Sequence, residues 1–210
     1  MKIECLVVGQ LKTNCYLVWS HSAPPAGGAP RDKDAIIIDP GDDADYIIHK
    51  IQDLELKPQF IIATHGHFDH VLAVTELKLA FQIPFLMHQA DLFLFKRSRE
   101  TTHYFTGAEA GPPLPPDKFI KEGNTIKFGQ EKLKVIETSG HTPGSISLYA
   151  PGILFSGDTL FANGLGRTDF GYASSTQLKK SLQKLFRLSL STLVYPGHGP
   201  ETTIGEKIIP

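Results

Sequence analysis

The sequence predicts an α/β fold of two successive β-then-α halves, with two sheets packed face to face and helices outside them. Three observations carry that expectation. Short apolar runs bounded by turn residues recur through both halves, as strands do. Apolar residues at helical spacing follow them in each half. Several of the strand-like runs stop at a glycine next to a histidine or aspartate, which places polar side chains on loops that could share one sheet edge.

The elements run in order as follows. Residues 3–8, 14–19 and 35–38 read as strands. Between the last two, 21–34 is rich in Pro, Gly and Ala and reads as a loop, an exposed hairpin excursion. Ile38-Asp39-Pro40-Gly41 ends a buried strand in a turn. Residues 42–56 are helical in pattern, with Ile47, Ile48, Ile51 and Leu54 at helical spacing. A short buried strand at 60–63 precedes a helix over 71–81, a strand over 84–87 and a helix over 89–97. Residues 106–116 carry Pro112, Pro113, Pro115 and Pro116, which forbid regular structure. The stretch reads as a long surface loop rather than a linker, because neither side looks self-sufficient. Strands follow at 125–128, 133–137, 145–149 and 153–155. Ser174-Ser175 caps a helix over 177–188, and 192–195 is a last strand. The expected organisation is one domain over 1–210.

Bulk properties narrow the function. A net charge of −1 leaves no electrostatic footprint for nucleic acid. No apolar run approaches the roughly 20 residues that span a bilayer. Met1-Lys2-Ile3-Glu4-Cys5 lacks the apolar region of a signal peptide, so the expected location is cytoplasmic, with no nucleic-acid or membrane partner. Cys5 and Cys15 sit in strand-like segments and read as two buried free thiols, too few for a zinc ribbon.

Thr64-His65-Gly66-His67-Phe68-Asp69-His70 concentrates the chemistry: three imidazoles and a carboxylate directly after an apolar strand. Imidazole suits zinc and iron, and an added carboxylate keeps harder metals possible. The glycine lets the backbone turn sharply, so that successive side chains can converge. Three more ligand types follow strands: His141 after Ser139-Gly140, Asp158 after Ser156-Gly157, and His198 after Pro196-Gly197. Any one alone reads as an ordinary turn or a satisfied histidine. The seven together suggest two metals, since one tetrahedral zinc is satisfied by three or four protein ligands. His65 and His67 can point to one ion and Asp69 and His70 to the other, with one carboxylate between them. Two such ions clamp both ends of a hydrolysed bond.

These residues resemble the metallo-β-lactamase superfamily, and more narrowly its glyoxalase II-like hydrolases. The matching motifs are His-x-His-x-Asp-His at 65–70, Ser139-Gly140-His141-Thr142-Pro143-Gly144, Ser156-Gly157-Asp158-Thr159-Leu160-Phe161, Gly166-Arg167-Thr168-Asp169 and Pro196-Gly197-His198-Gly199-Pro200. The resemblance implies a four-layer αββα sandwich of two mixed sheets with outer helices, and a dinuclear site at one sheet edge. His65, His67 and His141 would hold the first metal, and Asp69, His70 and His198 the second, with Asp158 bridging. The cofactors would be two divalent ions, zinc first, with iron or manganese tolerated by the same ligands. Asp39 matches a position that supports the ligand loop from behind; its other reading is an Asp-Pro-Gly turn. Arg167 matches a cation that contacts glutathione; its other reading is a surface arginine paired with Asp169.

The implied activity is hydrolysis of a small-molecule thioester such as S-lactoylglutathione, by attack of a metal-bridging hydroxide that Asp69 orients. The chain departs from two-domain glyoxalase II in ending soon after His198, and so resembles the short single-domain members. Two rivals stand beside this reading. A persulfide dioxygenase of the same superfamily shares Gly-Arg-Thr-Asp and would use one iron on His65, His141 and Asp158. A non-catalytic or electron-transfer protein on the same fold would be expected to have lost ligands or to carry a flavin domain. The Gly166–Asp169 segment also disfavours β-lactamase activity.

Overall fold

A computed structural model describes residues 1–20 and 33–208. Most of the expected loop at 21–34, His21 included, lies outside the described residues. Two six-stranded sheets form the centre. In the first, strands β1 (Lys2–Val8), β2 (Thr13–Trp19), β3 (Lys33–Ile38), β4 (Leu56–Ile62), β5 (Phe85–Met87) and β6 (Lys118–Phe119) lie side by side in chain order. The second contains β7 (Thr125–Phe128), β8 (Glu131–Glu137), β9 (Ile146–Ala150), β10 (Ile153–Gly157), β13 (Leu193–Pro196) and β14 (Thr202–Thr203), in the order β14-β13-β10-β9-β8-β7. A small hairpin of β11 (Leu160–Phe161) and β12 (Gly164–Leu165) stands apart. Both sheets are mixed: β3, β4, β5 and β6 pair in parallel, as do β10 and β13, and the remaining pairs are antiparallel.

Side-chain alternation along the strands makes four layers. Ile37, Ile61 and Phe85 face the helices α1 (Ala44–Asp53), α2 (Val74–Phe81) and α3 (Leu92–Lys96), meeting Ile47, Ile51, Val74, Leu77 and Phe95. Ile36, Ile38 and Ile62 face the other way, against Leu133, Val135, Leu148 and Phe155 of the second sheet. Leu154 and Val194 turn outward from that sheet onto Leu178, Leu182 and Leu185 of α5 (Ser175–Leu185) and Ile204 of α6 (Ile204–Ile208). Successive residues of one strand thus feed different cores. Each buried Ile or Phe contributes about 1.5–3 kcal/mol relative to exposure, so a one-residue slip would cost both cores at once. The result is the expected αββα sandwich.

Several boundaries differ from the expectation. The helix expected over 42–56 spans only Ala44–Asp53; Glu55 takes a left-handed φ of 52°, and β4 begins at Leu56. The helix expected over 71–81 starts at Val74, because a 3-10 turn at Phe68–His70 occupies the residues before it. The segment 98–106 forms a helix, α4 (Ser98–Thr106), for which no apolar periodicity argued. Its threonines satisfy local carbonyls instead: Thr102 Oγ1 donates to Ser98 O at 2.7 Å and Thr106 Oγ1 to Thr102 O at 2.8 Å. Gly107 ends it in a left-handed cap, φ 71°. Of the two thiols expected to be buried, Cys15 is buried and Cys5 is exposed, because β1 is an edge strand.

The ends of β4, β8, β10 and β13 converge where the two sheets meet. Ile146 N donates to Thr64 O at 2.9 Å, Asn14 N to Gly197 O at 2.7 Å and Gly197 N to Gly157 O at 2.9 Å. These bonds lock the loops that leave the strands into one rigid rim.

Candidate metal centre

Each ligand loop is held by its own backbone device. Asp39, at φ 51° just past β3, donates its N–H to Ile62 O and accepts from Thr64 N at 2.6 Å and Thr64 Oγ1 at 2.7 Å. The 64–70 loop therefore leaves β4 already fixed. Gly66 sits where a Cβ would come within 2.7 Å of the Asp91 carbonyl, so the turn requires glycine. The loop carrying His141 is clamped by α5: Ser174 N donates to Gly140 O at 2.8 Å, and Ser181 Oγ donates to Ser139 O at 2.7 Å.

The seven expected ligands come together. His67 Nδ1 lies 3.0 Å from both His65 Nε2 and His141 Nε2. Nitrogens bound tetrahedrally at zinc distances of about 2.0–2.1 Å stand roughly 3.3–3.4 Å apart, close to this spacing. In the second group, His70 Nε2 and His198 Nε2 are 3.3 Å apart, and Asp69 Oδ2 is 3.3 Å from His198 Nε2 and 3.6 Å from His70 Nε2. Asp158 reaches both groups: Oδ1 is 3.5 Å from His70 Nε2, and Oδ2 is 3.6 Å from His141 Nε2 and 3.7 Å from His198 Nε2.

Two observations test whether this donor set suits a cation. Asp158 Oδ1 is buried without a hydrogen-bond partner, an arrangement that is costly unless something positive meets it. A Cβ on Gly197 would collide with Asp158 Oδ1 and come within 2.8 Å of His70 Cε1, so the glycine keeps space beside both side chains. Nitrogen and oxygen donors without sulfur fit zinc, iron or manganese.

The nitrogens facing away from the cluster are tied down as well. His65 Nδ1 meets Thr64 Oγ1 at 3.2 Å, His141 Nδ1 meets Arg167 O at 2.9 Å, and His198 Nδ1 meets Leu11 O at 3.1 Å. His70 Nδ1 lies 3.0 Å from Asp39 Oδ2, an ion-pair contact off the line of a straight hydrogen bond. His67 Nε2 meets the Tyr172 hydroxyl at 2.8 Å. Such outer contacts select the tautomer that points a lone pair inward.

Electrostatics divide the site. Burial and the neighbouring imidazoles push His65 down, and push His67 to about 3, so both stay neutral with lone pairs available. For His70, burial alone would lower the pKa, but Asp69, Asp158 and Asp39 outweigh it and raise it to about 10. Burial lifts Asp158 despite His70, His198 and His141. Burial would also lift Asp69, but His70 and His198 hold it below the ordinary carboxylate range. Cation binding here would displace the proton on His70.

Other residues fall around this core. The Arg167 guanidinium is exposed, pairs with Asp169 through bonds of 3.0 and 2.7 Å, and lies 4.8 Å from the Phe170 ring centroid. Arg167 therefore meets the centre through its carbonyl, while its charge stays at the rim. Asp91 had no sequence signal, yet it is fully buried and accepts from Gly66 N at 2.9 Å, Gly144 N at 2.6 Å and Thr142 Oγ1 at 2.6 Å. One carboxylate thus joins the His65 and His141 loops. A cleft lined by Leu11, Thr13, Phe68, Asp69, Thr102 and Ala110 opens beside the second group. His49 is solvated, His88 pairs with Glu137 at 3.2 Å, and His103 is exposed on Glu109 and lies off that cleft.

Comparison with known proteins agrees with the geometry. The family model for the metallo-beta-lactamase superfamily matches residues 8–198. Hydroxyacylglutathione hydrolase GloC of Haemophilus influenzae is 34% identical over 211 residues, covering 99% of this chain and 94% of that protein. The crystal structure of BLEG-1 B3 metallo-beta-lactamase superposes with a TM-score of 0.87 at 33% identity, covering 99% of this chain and 96% of that one. The crystal structure of TTHA1623 in a di-iron-bound form gives a TM-score of 0.85 at 34% identity, covering 98% and 97%.

Proposed function

The chain belongs to the metallo-β-lactamase superfamily, and from that premise we propose that it is a two-metal hydrolase of small thioesters of the S-lactoylglutathione type. One observation carries the reading: seven His and Asp donors meet in two groups that Asp158 joins. His65, His67 and His141 would hold one ion, and Asp69, His70 and His198 the other, with zinc as the first candidate. The 34% identity to GloC over 94% of that protein supports a thioester substrate.

Ions held there would supply a water acidified towards neutrality and a polarised substrate carbonyl. The protein's own groups do the rest. Thr13 Oγ1 donates to Asp69 Oδ2 at 3.2 Å, which fixes that carboxylate and would leave Oδ1 to accept a hydrogen bond from the attacking water and so orient it. The water oxygen would add to the thioester carbon, the C–S bond would break, and a proton from the water would pass to the departing sulfur. Asp39 and the Leu11 and Arg167 carbonyls keep His70, His198 and His141 from turning as charge shifts. The Arg167 guanidinium, released from Asp169, would meet a carboxylate of the thiol carrier.

The test is metal analysis of purified protein coupled to assays on S-lactoylglutathione, glutathione persulfide with an oxygen electrode, and a β-lactam. Two metals per chain with thiol release from S-lactoylglutathione is the expected result. One iron with oxygen uptake would instead identify the persulfide dioxygenase, and β-lactam hydrolysis alone would identify a lactamase. Full activity and metal content in His65→Ala would sink the site assignment.

A further inference from the structure

We infer that Tyr172 is a positioning residue for the first metal group: its hydroxyl oxygen accepts the Nε2–H of His67 and so presents the His67 Nδ1 lone pair to the ion. This rests on the proposal above that the cluster binds metal, but not on the substrate.

Each imidazole of the cluster is oriented by a partner at its outward nitrogen. The outward nitrogens of His141 and His198 meet backbone carbonyls, and those of His65 and His70 meet the buried side chains Thr64 and Asp39. Thr64 and Asp39 flank the rigid rim, and Leu11 and Arg167 contribute backbone carbonyls only. His67 alone uses a side chain from the segment between the small β11–β12 hairpin and α5, the Tyr172 hydroxyl at 2.8 Å. His67 is also the ligand most in need of such a partner. It turns Nδ1, the nitrogen nearest its own backbone, into the cluster, while His65 and His141 turn in Nε2, and these are the atoms that would bind an ion. Rotation about its Cβ–Cγ bond would withdraw the lone pair, and a hydrogen bond at Nε2 opposes it.

Tyr172 is itself placed by aromatic packing. Its ring lies 5.4 Å from that of Phe170 with an interplanar angle of 12°, and Phe93 meets it edge-on at 5.7 Å. Phe170 in turn touches the His67 ring at 5.4 Å and the His141 ring at 5.9 Å. The platform would survive loss of the hydroxyl, so contributions from the ring and from the oxygen are separable by mutation.

Tyr172→Phe removes only the oxygen. Stepwise metal affinities, measured by titrating metal-free protein with Zn²⁺ against a chelator, should show one step weakened about 10–100-fold and the other unchanged. In ¹⁵N-labelled zinc-loaded protein, the His67 imidazole N–H should be protected from exchange in the native chain and exchange faster in Tyr172→Phe. Phe93→Leu, which trims one edge contact while Tyr172 stays stacked on Phe170 with its hydroxyl in place, should leave both readouts unchanged. Unaltered affinities and exchange in Tyr172→Phe would overturn the inference, and so would an equal loss in Phe93→Leu, which would make Tyr172 a packing residue only. Neither readout involves a thioester. A protein that binds zinc in this Tyr172-dependent way yet hydrolyses none of the substrates would keep the inference and remove the proposed activity.

Discussion

Asp39 Oδ2 and His70 Nδ1 lie 3.0 Å apart with both side chains out of solvent. The same carboxylate holds Thr64 through its N–H and hydroxyl, so it joins the origin of the ligand loop to a ligand near its end. Asp39→Ala should therefore do two things. It should orphan buried donors on Thr64, costing about 1–3 kcal/mol each, and it should weaken the second metal group about 10–100-fold. Asn tolerates the left-handed backbone at φ 51° and keeps one acceptor, so Asp39→Asn should fall between the two. Thermal melting and chelator competition read these effects separately. Native metal affinity in Asp39→Ala would leave Asp39 as a turn residue.

Asp91 joins two loops that are far apart in sequence. Removing it strands Gly66 N, Gly144 N and the Thr142 hydroxyl in the interior. At about 1–3 kcal/mol for each buried donor left unpaired, Asp91→Ala should cost about 3 kcal/mol or more and shift the denaturant midpoint well down. Asp91→Asn should be milder in stability but should still lose metal, because its amide turns a donor toward at least one of these N–H groups. A loss confined to stability, with metal content intact, would show that the two loops hold their geometry without the link.

The metal-free protein should be stabilised by protonated His70. Its pKa is raised on folding from 6.5 to about 10. Stability from a raised pKa is complete below the unfolded value and is lost as pH rises through the folded one. Melting of metal-free protein should therefore fall between about pH 7 and 10, and His70→Gln should flatten that limb. His65 and His67 act on the acid side: their depressed pKa values mean that acidification through 6.5 favours the unfolded chain. Zinc binding near pH 7 should release protons, detectable in weakly buffered solution, because the ligand nitrogens must be bare. A flat profile from pH 7 to 10 would contradict the assigned charge on His70.

Much of this architecture was legible in the sequence because it rests on local rules. Ile36, Ile37 and Ile38 alternate between two cores, and strand periodicity alone exposes that. The seven ligands follow strands and glycines, so their order along the chain announced a shared edge. Asp39 was legible only as a choice between a turn and a support; it stands just past β3 with its carboxylate on Thr64 and His70. Asp91 was not legible. Its role comes from Gly66 and Gly144 lying close together in space, and nothing in Gln89-Ala90-Asp91 marks it. Helix α4 was missed for a related reason: its threonines bond to local carbonyls and present no apolar stripe. Arg167 shows the limit from the other side, because its side chain drew attention while its carbonyl is what touches His141.

Gly197 provides the sharpest test of the shared carboxylate. Its N–H donates to Gly157 O and its carbonyl accepts from Asn14 N, so it stitches the two sheets beside the metal groups. A Cβ added there would run into Asp158 Oδ1 and crowd His70 Cε1 at 2.8 Å. Backbone strain is not the issue, since Gly197 is not among the positive-φ glycines; the conflict is with Asp158 itself. Asp158 would have to swing away, and it is the only carboxylate among the seven residues that reaches both groups. Gly197→Ala should therefore keep the sheets, and with them the far-UV circular dichroism, while losing at least one metal and nearly all activity. Asp158→Asn, which keeps the shape but removes the charge, should lose metal in the same way. If Gly197→Ala bound two metals normally, the space beside Asp158 would not matter, and the bridging role given to that carboxylate would have to be abandoned.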